Sequence, residues 1–326
     1  MVVQNQVFFV LRILFLCLLW LAAPVFAAPP LIAPDALHAL IADDAVRVID
    51  VREAPAYALQ HVPTAVSAPY GLWRGAGDNP GQLPPQAELT ELVQSLGLTP
   101  DTHAVIVYAG IDATDFGSAA RVYWTLKGLG MAQLSILDGG LAAWVAAGRD
   151  ASDVPVVTQR SNWQPRFNRE WTATRDEVLA VLGNGDTLLV DARPLPYFDG
   201  RQAPPQARAR GTLPGAVNLD SELFFELGSA SLMDVDGLAG EAQALGAEPD
   251  QAIITFCNAG HWSATDWFVL SEVLGYPDVR MYPGSLVDWT NAPDPLPMAN
   301  EPSRWAALRF MVFDWLHRNW GVPMPG

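Results

Sequence analysis

Short apolar runs, each closed by polar or charged residues, recur along the chain, and stretches with apolar positions at helical spacing separate them. In the first half the runs lie at 46–52, 104–108 and 134–137, with helical patterns over 36–41, 89–96 and 117–129. Residues 71–85, crowded with glycine and proline, predict a long surface loop. The second half repeats this order, with apolar runs at 187–193, 253–257 and 279–282. Particular residues repeat too. Asp50-Val51-Arg52 and Asp191-Ala192-Arg193 close the first run of each half, and Gly139-Gly140 before Trp144 matches Gly284-Ser285 before Trp289. Two copies at that separation predict two homologous α/β domains in tandem, each a mostly parallel sheet with helices on both faces.

One stretch differs in kind. The run 253–257 ends in Cys257; Asn258, Ala259, Gly260, His261, Trp262 and Ser263 follow, and a helix is expected from Asp266. A strand-loop-helix turn gathers backbone N–H groups, and the helix N-terminus adds partial positive charge, so a sulfur at its lip can carry negative charge. Cys257 is therefore the candidate nucleophile; the plainer alternative is a buried thiol that merely ends a core strand. Laying one copy on the other puts Ala109 where Cys257 stands. The first copy has no thiol to form a covalent intermediate, so it reads as a scaffold or as one wall of a cleft.

Residues 7–23 form an apolar run broken only by Arg12, and Val25 and Ala27 then fit a small-residue cleavage pattern. Residues 1–27 are accordingly expected to be a secretory signal, cut after Ala27, that delivers the protein to the periplasm without a membrane span; an uncleaved anchor is the alternative. Cys17 would leave with that signal, so Cys257 would remain as a lone thiol in an exported protein, an unusual state for an oxidising compartment. A net charge of -16 over 326 residues argues against nucleic acid or an acidic membrane surface as a partner. The 5 histidines are scattered without metal-ligand spacing, and neither a metal nor an organic cofactor is expected. The first domain is read as 28–150, a polar linker as 151–170, the second domain as 171–298, and an aromatic-rich helical tail as 299–326. That tail either packs across its own domains or meets a membrane or partner.

Taken in order, Asp50-Val51-Arg52, His61-Val62-Pro63, Gly139-Gly140 with Trp144, Asp191-Ala192-Arg193, Leu213-Pro214-Gly215-Ala216, the loop from Cys257, and Gly284-Ser285 before Trp289 carry a resemblance. The chain resembles the tandem-domain rhodaneses, the thiosulfate and 3-mercaptopyruvate sulfurtransferases, over roughly residues 36–289. Its cysteine loop, with residues 116–124 of the first copy, looks like an exported bacterial branch. The resemblance implies a ping-pong sulfur transfer at a single site in the second domain. A Cys257 thiolate takes the outer sulfur of a small anionic donor such as thiosulfate, sulfite leaves, and cyanide, a thiol or a protein sulfur acceptor removes the sulfur from the persulfide. It also implies that N–H groups from Asn258 to Ser263 hold the persulfide charge. Arg193 either meets the anionic part of the donor or is tied to Asp191 or a neighbouring loop.

The loop departs from the family patterns. Thiosulfate enzymes carry basic residues just after the cysteine, and mercaptopyruvate enzymes carry Gly-Ser-Gly-Val-Thr there. Tyr197 precedes Phe198 where a substrate-binding arginine is usual, and Thr212 stands where a histidine is common. Sulfur transfer is thus expected with the donor left open, and Arg201 and Arg210 are candidates for the missing charge. His261 reads as tuning the sulfur, as contacting the acceptor, or as having no catalytic duty. A phosphatase of this fold would need an arginine where Ser263 stands. The remaining alternative is a non-enzymatic sulfane-sulfur carrier in which Cys257 holds sulfur for a protein partner.

Overall fold

The computed structural model describes residues 28–322 apart from Asp44 and Pro249; the expected signal segment lies outside the described residues. The first domain runs β1 (Leu31–Ile32), α1 (Pro34–Ala42), β2 (Arg47–Asp50), α2 (Ala54–Leu59), β3 (Val66–Ser67), a 3₁₀ turn (Tyr70–Trp73), α3 (Gln86–Ser95), β4 (Ala104–Val107), α4 (Ala113–Gly128), β5 (Leu134–Leu137) and α5 (Gly140–Ala146). Its strands are all parallel, in the order β1-β5-β4-β2-β3. The second domain follows with α6 (Arg175–Val181), β6 (Thr187–Asp191), α7 (Leu195–Phe198), β7 (Val217–Asn218), a 3₁₀ turn (Ser221–Phe224), α8 (Val235–Gln243), β8 (Ala252–Phe256), α9 (Trp262–Trp267), a π-helical turn (Phe268–Val273), β9 (Val279–Met281) and α10 (Ser285–Thr290). Its sheet is also parallel, in the order β7-β6-β8-β9, and a last helix, α11 (Arg304–Trp320), closes the chain.

The run at 104–107 is apolar throughout because helices cover both faces of its sheet, and all four of its residues are buried. Register then places the charged corner of each repeat. Asp50 pairs with Val107 and Asp191 with Phe256, which sets each Asp-x-Arg corner beside the end of the neighbouring central strand.

The two domains share a core. Every residue of α4 from Phe116 to Leu126 is buried, as expected of a helix enclosed by protein on all sides. Phe116 and Tyr123 both meet Phe268 edge-on, at 5.5 and 5.0 Å between ring centroids. The Tyr108 hydroxyl donates to the Ala230 carbonyl at 2.6 Å, and Lys127 pairs with Glu272 at 2.7 Å. The stretch 151–170 joins this core rather than hanging free, with Phe167 against Trp124 at 5.3 Å.

Two local expectations change. Residues 71–85 do not simply cover the surface: Trp73 is fully buried, and Arg74 and Gly81 reach toward the cysteine loop. The helix after that loop begins at Trp262, earlier than Asp266, because the His261 carbonyl already accepts the Ala264 N–H at 3.2 Å. In α11, Trp305, Leu308, Val312 and Trp315 share one stripe, and all four are exposed.

Candidate active site

Cys257 directly follows β8, and both its backbone groups are engaged. Its N–H donates to the Ser285 hydroxyl oxygen at 3.0 Å, and its carbonyl accepts the Leu286 N–H at 3.1 Å. The side chain is 1% exposed. Its Sγ accepts the His261 N–H at 3.3 Å and the Ser263 hydroxyl at 3.5 Å, two donors that favour negative charge on sulfur. Ser285 lies 4.0 Å from the same sulfur, but its proton goes to the Tyr282 carbonyl at 2.8 Å.

Ser285 holds an unusual backbone conformation, φ 53°, where the first copy has Gly140 at φ 60°. A left-handed conformation is comfortable for glycine and costs other residues on the order of 1 kcal/mol or more. Replacing the serine would leave the buried Cys257 N–H unpaired, which costs about 1–3 kcal/mol. The second penalty is at least as large, so a serine persists at a glycine position.

The loop after Cys257 is held by its carbonyls. Asn258 O accepts the Val287 N–H at 3.0 Å, Ala259 O accepts Arg74 Nη2 at 2.7 Å, and Gly260 O accepts Arg121 Nη1 at 3.1 Å. Both arginines belong to the first domain. Gly260 sits at φ 68°, and a Cβ there would stand 2.3 Å from Arg121 Nη1 and 2.6 Å from the Pro283 carbonyl. Arg121 is fully buried, donates also to Gly81 O at 2.7 Å, and lies over the Trp124 ring. Burial lowers its pKa to about 10, so it stays charged at neutral pH.

The His261 ring is gripped at both nitrogens. Nε2 lies 2.8 Å from the Thr114 carbonyl, which can only accept, so Nε2 carries the proton. Nδ1 then accepts the Tyr70 hydroxyl at 2.9 Å, and that hydroxyl oxygen accepts Arg74 Nη1 at 2.8 Å. Burial first, and the Arg74 cation second, hold the His261 pKa down to about 4. The imidazole is therefore neutral at pH 7. Burial also raises the Tyr70 pKa, which keeps its hydroxyl protonated as a donor.

A family model described as the rhodanese-like domain matches residues 33–147 and again 174–292. The chain belongs to the rhodanese family. Thiosulfate sulfurtransferase of Azotobacter vinelandii is 33% identical over 271 residues, covering 82% of this chain and 97% of the relative. 3-Mercaptopyruvate sulfurtransferase of Escherichia coli K12 is 28% identical over 271 residues, covering 79% of this chain and 94% of the relative. The crystal structure of the 3-mercaptopyruvate sulfotransferase SseA from Escherichia coli superposes with a TM-score of 0.71 at 25% identity, covering 79% of this chain and 99% of that one.

In this rhodanese the expected substrate arginines have other partners. Arg193 is 1% exposed and clasps Asp191 through Nε at 2.8 Å and Nη2 at 2.7 Å; its Nη1 reaches the Asn258 side chain at 3.3 Å. The tie to Asp191 that the sequence offered as one reading is thus present. Thr212, at the position where a histidine is common, donates to the same carboxylate at 2.6 Å. Arg201 pairs with Asp199 at 2.7 Å, and Arg210 donates to the Arg201 carbonyl. Arg210 lines a separate surface hollow with Glu301 and Pro302, and Cys257 is not in that lining. Tyr197 packs edge-on against Trp262 at 5.8 Å.

Tyr70, Arg74, Arg121 and Ser285 are the residues that reading the sequence missed as site residues. Arg74 lies in the stretch 71–85 that its glycines and prolines marked as surface loop, Tyr70 directly precedes that stretch, and Arg121 lies in the thiol-free copy. Ser285 carried a signal: it interrupts a repeat in which the first copy has a second glycine.

Proposed function

We propose that this rhodanese is a sulfurtransferase of the thiosulfate type, which moves sulfane sulfur through a persulfide on Cys257. The observation that carries this reading is the Cys257 sulfur at the end of β8, facing the His261 N–H and the Ser263 hydroxyl. The extent of the match supports it as well, since nearly the whole Azotobacter vinelandii enzyme is covered.

In the first half-reaction the Cys257 thiolate attacks the outer sulfur of thiosulfate. A Cys257–sulfur bond forms, the donor's S–S bond breaks, and sulfite leaves with the bonding pair. In the second, cyanide or a thiol attacks the terminal sulfur of the persulfide; the Cys257 S–S bond breaks and the thiolate returns. No net proton transfer is needed between thiosulfate and cyanide. That agrees with a histidine whose two ring nitrogens are committed to Tyr70 and Thr114 and which therefore acts as a pin, not as a base. The role of the donors on Sγ is electrostatic: they meet the charge that alternates between thiolate and persulfide.

Initial-rate kinetics test the reading. Thiosulfate and 3-mercaptopyruvate are each varied against cyanide while thiocyanate release is followed. Parallel double-reciprocal lines are expected for the working donor, with no release from Cys257→Ala. Equal release from that variant would overturn the assignment.

A further inference from the structure

A cleft of about 890 Å³ opens at the carboxyl ends of β2 and β4 in the first domain, with Ala109, the counterpart of Cys257, in its lining. Open parallel sheets bind ligands at that end. Here the local chemistry has turned against anions. In the second domain the loop N–H of His261 points at sulfur. In the first, the N–H groups of Gly110 and Ile111 donate to Asp115 Oδ2 at 2.8 and 3.2 Å, and the Asp115 N–H donates to Asp112 at 2.9 Å. The chain's own carboxylates occupy the place of a bound anion. Arg52, the cation in the lining, is neutralised by Asp50 at 2.6 Å and also donates to the Gln60 carbonyl at 2.6 Å. Glu53 adds an exposed carboxylate to the lining, and Val51, Leu141 and Val145 supply apolar wall.

We propose that this cleft is a second binding site, for a small organic cation with an apolar body, and that its occupancy is felt at Cys257 through His261. The Glu53 and Asp115 carboxylates suit a cation, and the aliphatic wall suits its body. Tyr70, Thr114 and His261 all border the cleft, and they are the same three residues joined by the bonds of 2.9 and 2.8 Å. A ligand pressing on this trio moves the residue whose backbone N–H rests on the Cys257 sulfur at 3.3 Å. The inference rests on first-domain geometry and stands whichever donor Cys257 uses.

Calorimetric titration of the full chain with benzyltrimethylammonium, and separately with benzenesulfonate, tests the site. Saturable binding of the cation is expected, with the sulfonate at least about tenfold weaker. Ala142→Trp, which fills the cleft from an exposed position on α5, is expected to abolish binding, and Glu53→Gln to weaken it. Thermal unfolding establishes that each variant is folded. Absent cation binding, equal binding of the sulfonate, or cation binding undiminished in both folded variants would overturn the site. The coupling is read from the rate of Cys257 alkylation by iodoacetamide, which needs no sulfur transfer. Saturating cation is expected to change that rate by at least about twofold; an unchanged rate overturns the coupling.

Discussion

The Tyr70 hydroxyl of the first domain donates to His261 Nδ1 of the second at 2.9 Å. This bond joins a domain that has no thiol to the loop that surrounds the Cys257 sulfur. With Arg74 on Ala259 O and Arg121 on Gly260 O, it makes the first domain part of the site, as the fixture for a loop whose donors must stay in place.

Removing those fixtures should slow chemistry more than it harms folding. Tyr70→Phe frees Nδ1, and Arg74→Gln and Arg121→Gln each release a loop carbonyl. A loop displaced by about 1 Å loses roughly one to two orders of magnitude in rate. Stopped-flow measurement of persulfide formation, with thermal unfolding alongside, checks this. Unchanged rates in all three variants would detach the first domain from the site.

Ser285 separates strain from hydrogen bonding. Ser285→Ala keeps the left-handed backbone and strands the Cys257 N–H, so it should cost more than Ser285→Gly, which relieves the strain as it removes the bond. The expected gap is about 1 kcal/mol in favour of glycine, read from denaturant midpoints at equal slope. Alanine matching glycine would mean that Ser285 stores no backbone strain.

His261 sets a pH dependence of stability. Its folded pKa, about 4, lies below its ordinary 6.5, so the unfolded chain binds the extra proton between those values. Stability from this group is thus complete above pH 6.5 and falls as pH drops toward 4. The loss is at most about 3 kcal/mol, less whatever solvent in the neighbouring cleft screens. His261→Gln should flatten that limb of the stability profile; an unchanged profile would place the loss on other groups.

Asp266 acts in the opposite sense. It is fully buried on α9, and neither carboxyl oxygen has a hydrogen-bond partner among the described residues. Burial, with the charges of Asp220, Cys257 and Asp191 behind it, raises its pKa well above the ordinary 3.8. The folded protein therefore holds a proton that the unfolded chain gives up, and stability falls as pH rises through this range. Asp266→Asn is expected to be more stable than the native protein at pH 8 and to lose that advantage near pH 4, as chemical denaturation at the two pH values would show. A variant less stable at pH 8 would mean that the carboxyl has a role other than an unpaired acid.

The secretory signal expected at residues 1–27 supplies a separate prediction. The Ala28 N–H donates to the Gln133 side chain at 2.8 Å, which docks the chain from its first described residue. Amino-terminal sequencing of the protein from a periplasmic extract is expected to begin at Ala28; a sequence beginning at residue 1 or 2 would favour an uncleaved anchor.

Much of the fold was legible because its signals are local. Buried parallel strands read as unbroken apolar runs, and the second copy reproduced the order of the first. Cys257 stood out because a strand-loop-helix turn needs no distant residue to be recognised. The clamp did not stand out. Tyr70 and Arg74 act on a loop nearly two hundred positions away, and nothing in a stretch of glycine and proline marks which carbonyl an arginine will meet. The Arg193–Asp191 pair was legible for the reverse reason: a guanidinium two residues from a carboxylate finds a partner locally.

The most direct test is the intact mass of the purified mature protein before thiosulfate, after it, and after cyanide. A gain of about 32 Da that cyanide removes, and that Cys257→Ala never acquires, is the predicted result. Absence of that gain with both thiosulfate and 3-mercaptopyruvate, from protein whose Cys257 still reacts with iodoacetamide, would contradict persulfide transfer from small donors and turn the account toward a carrier loaded by another protein.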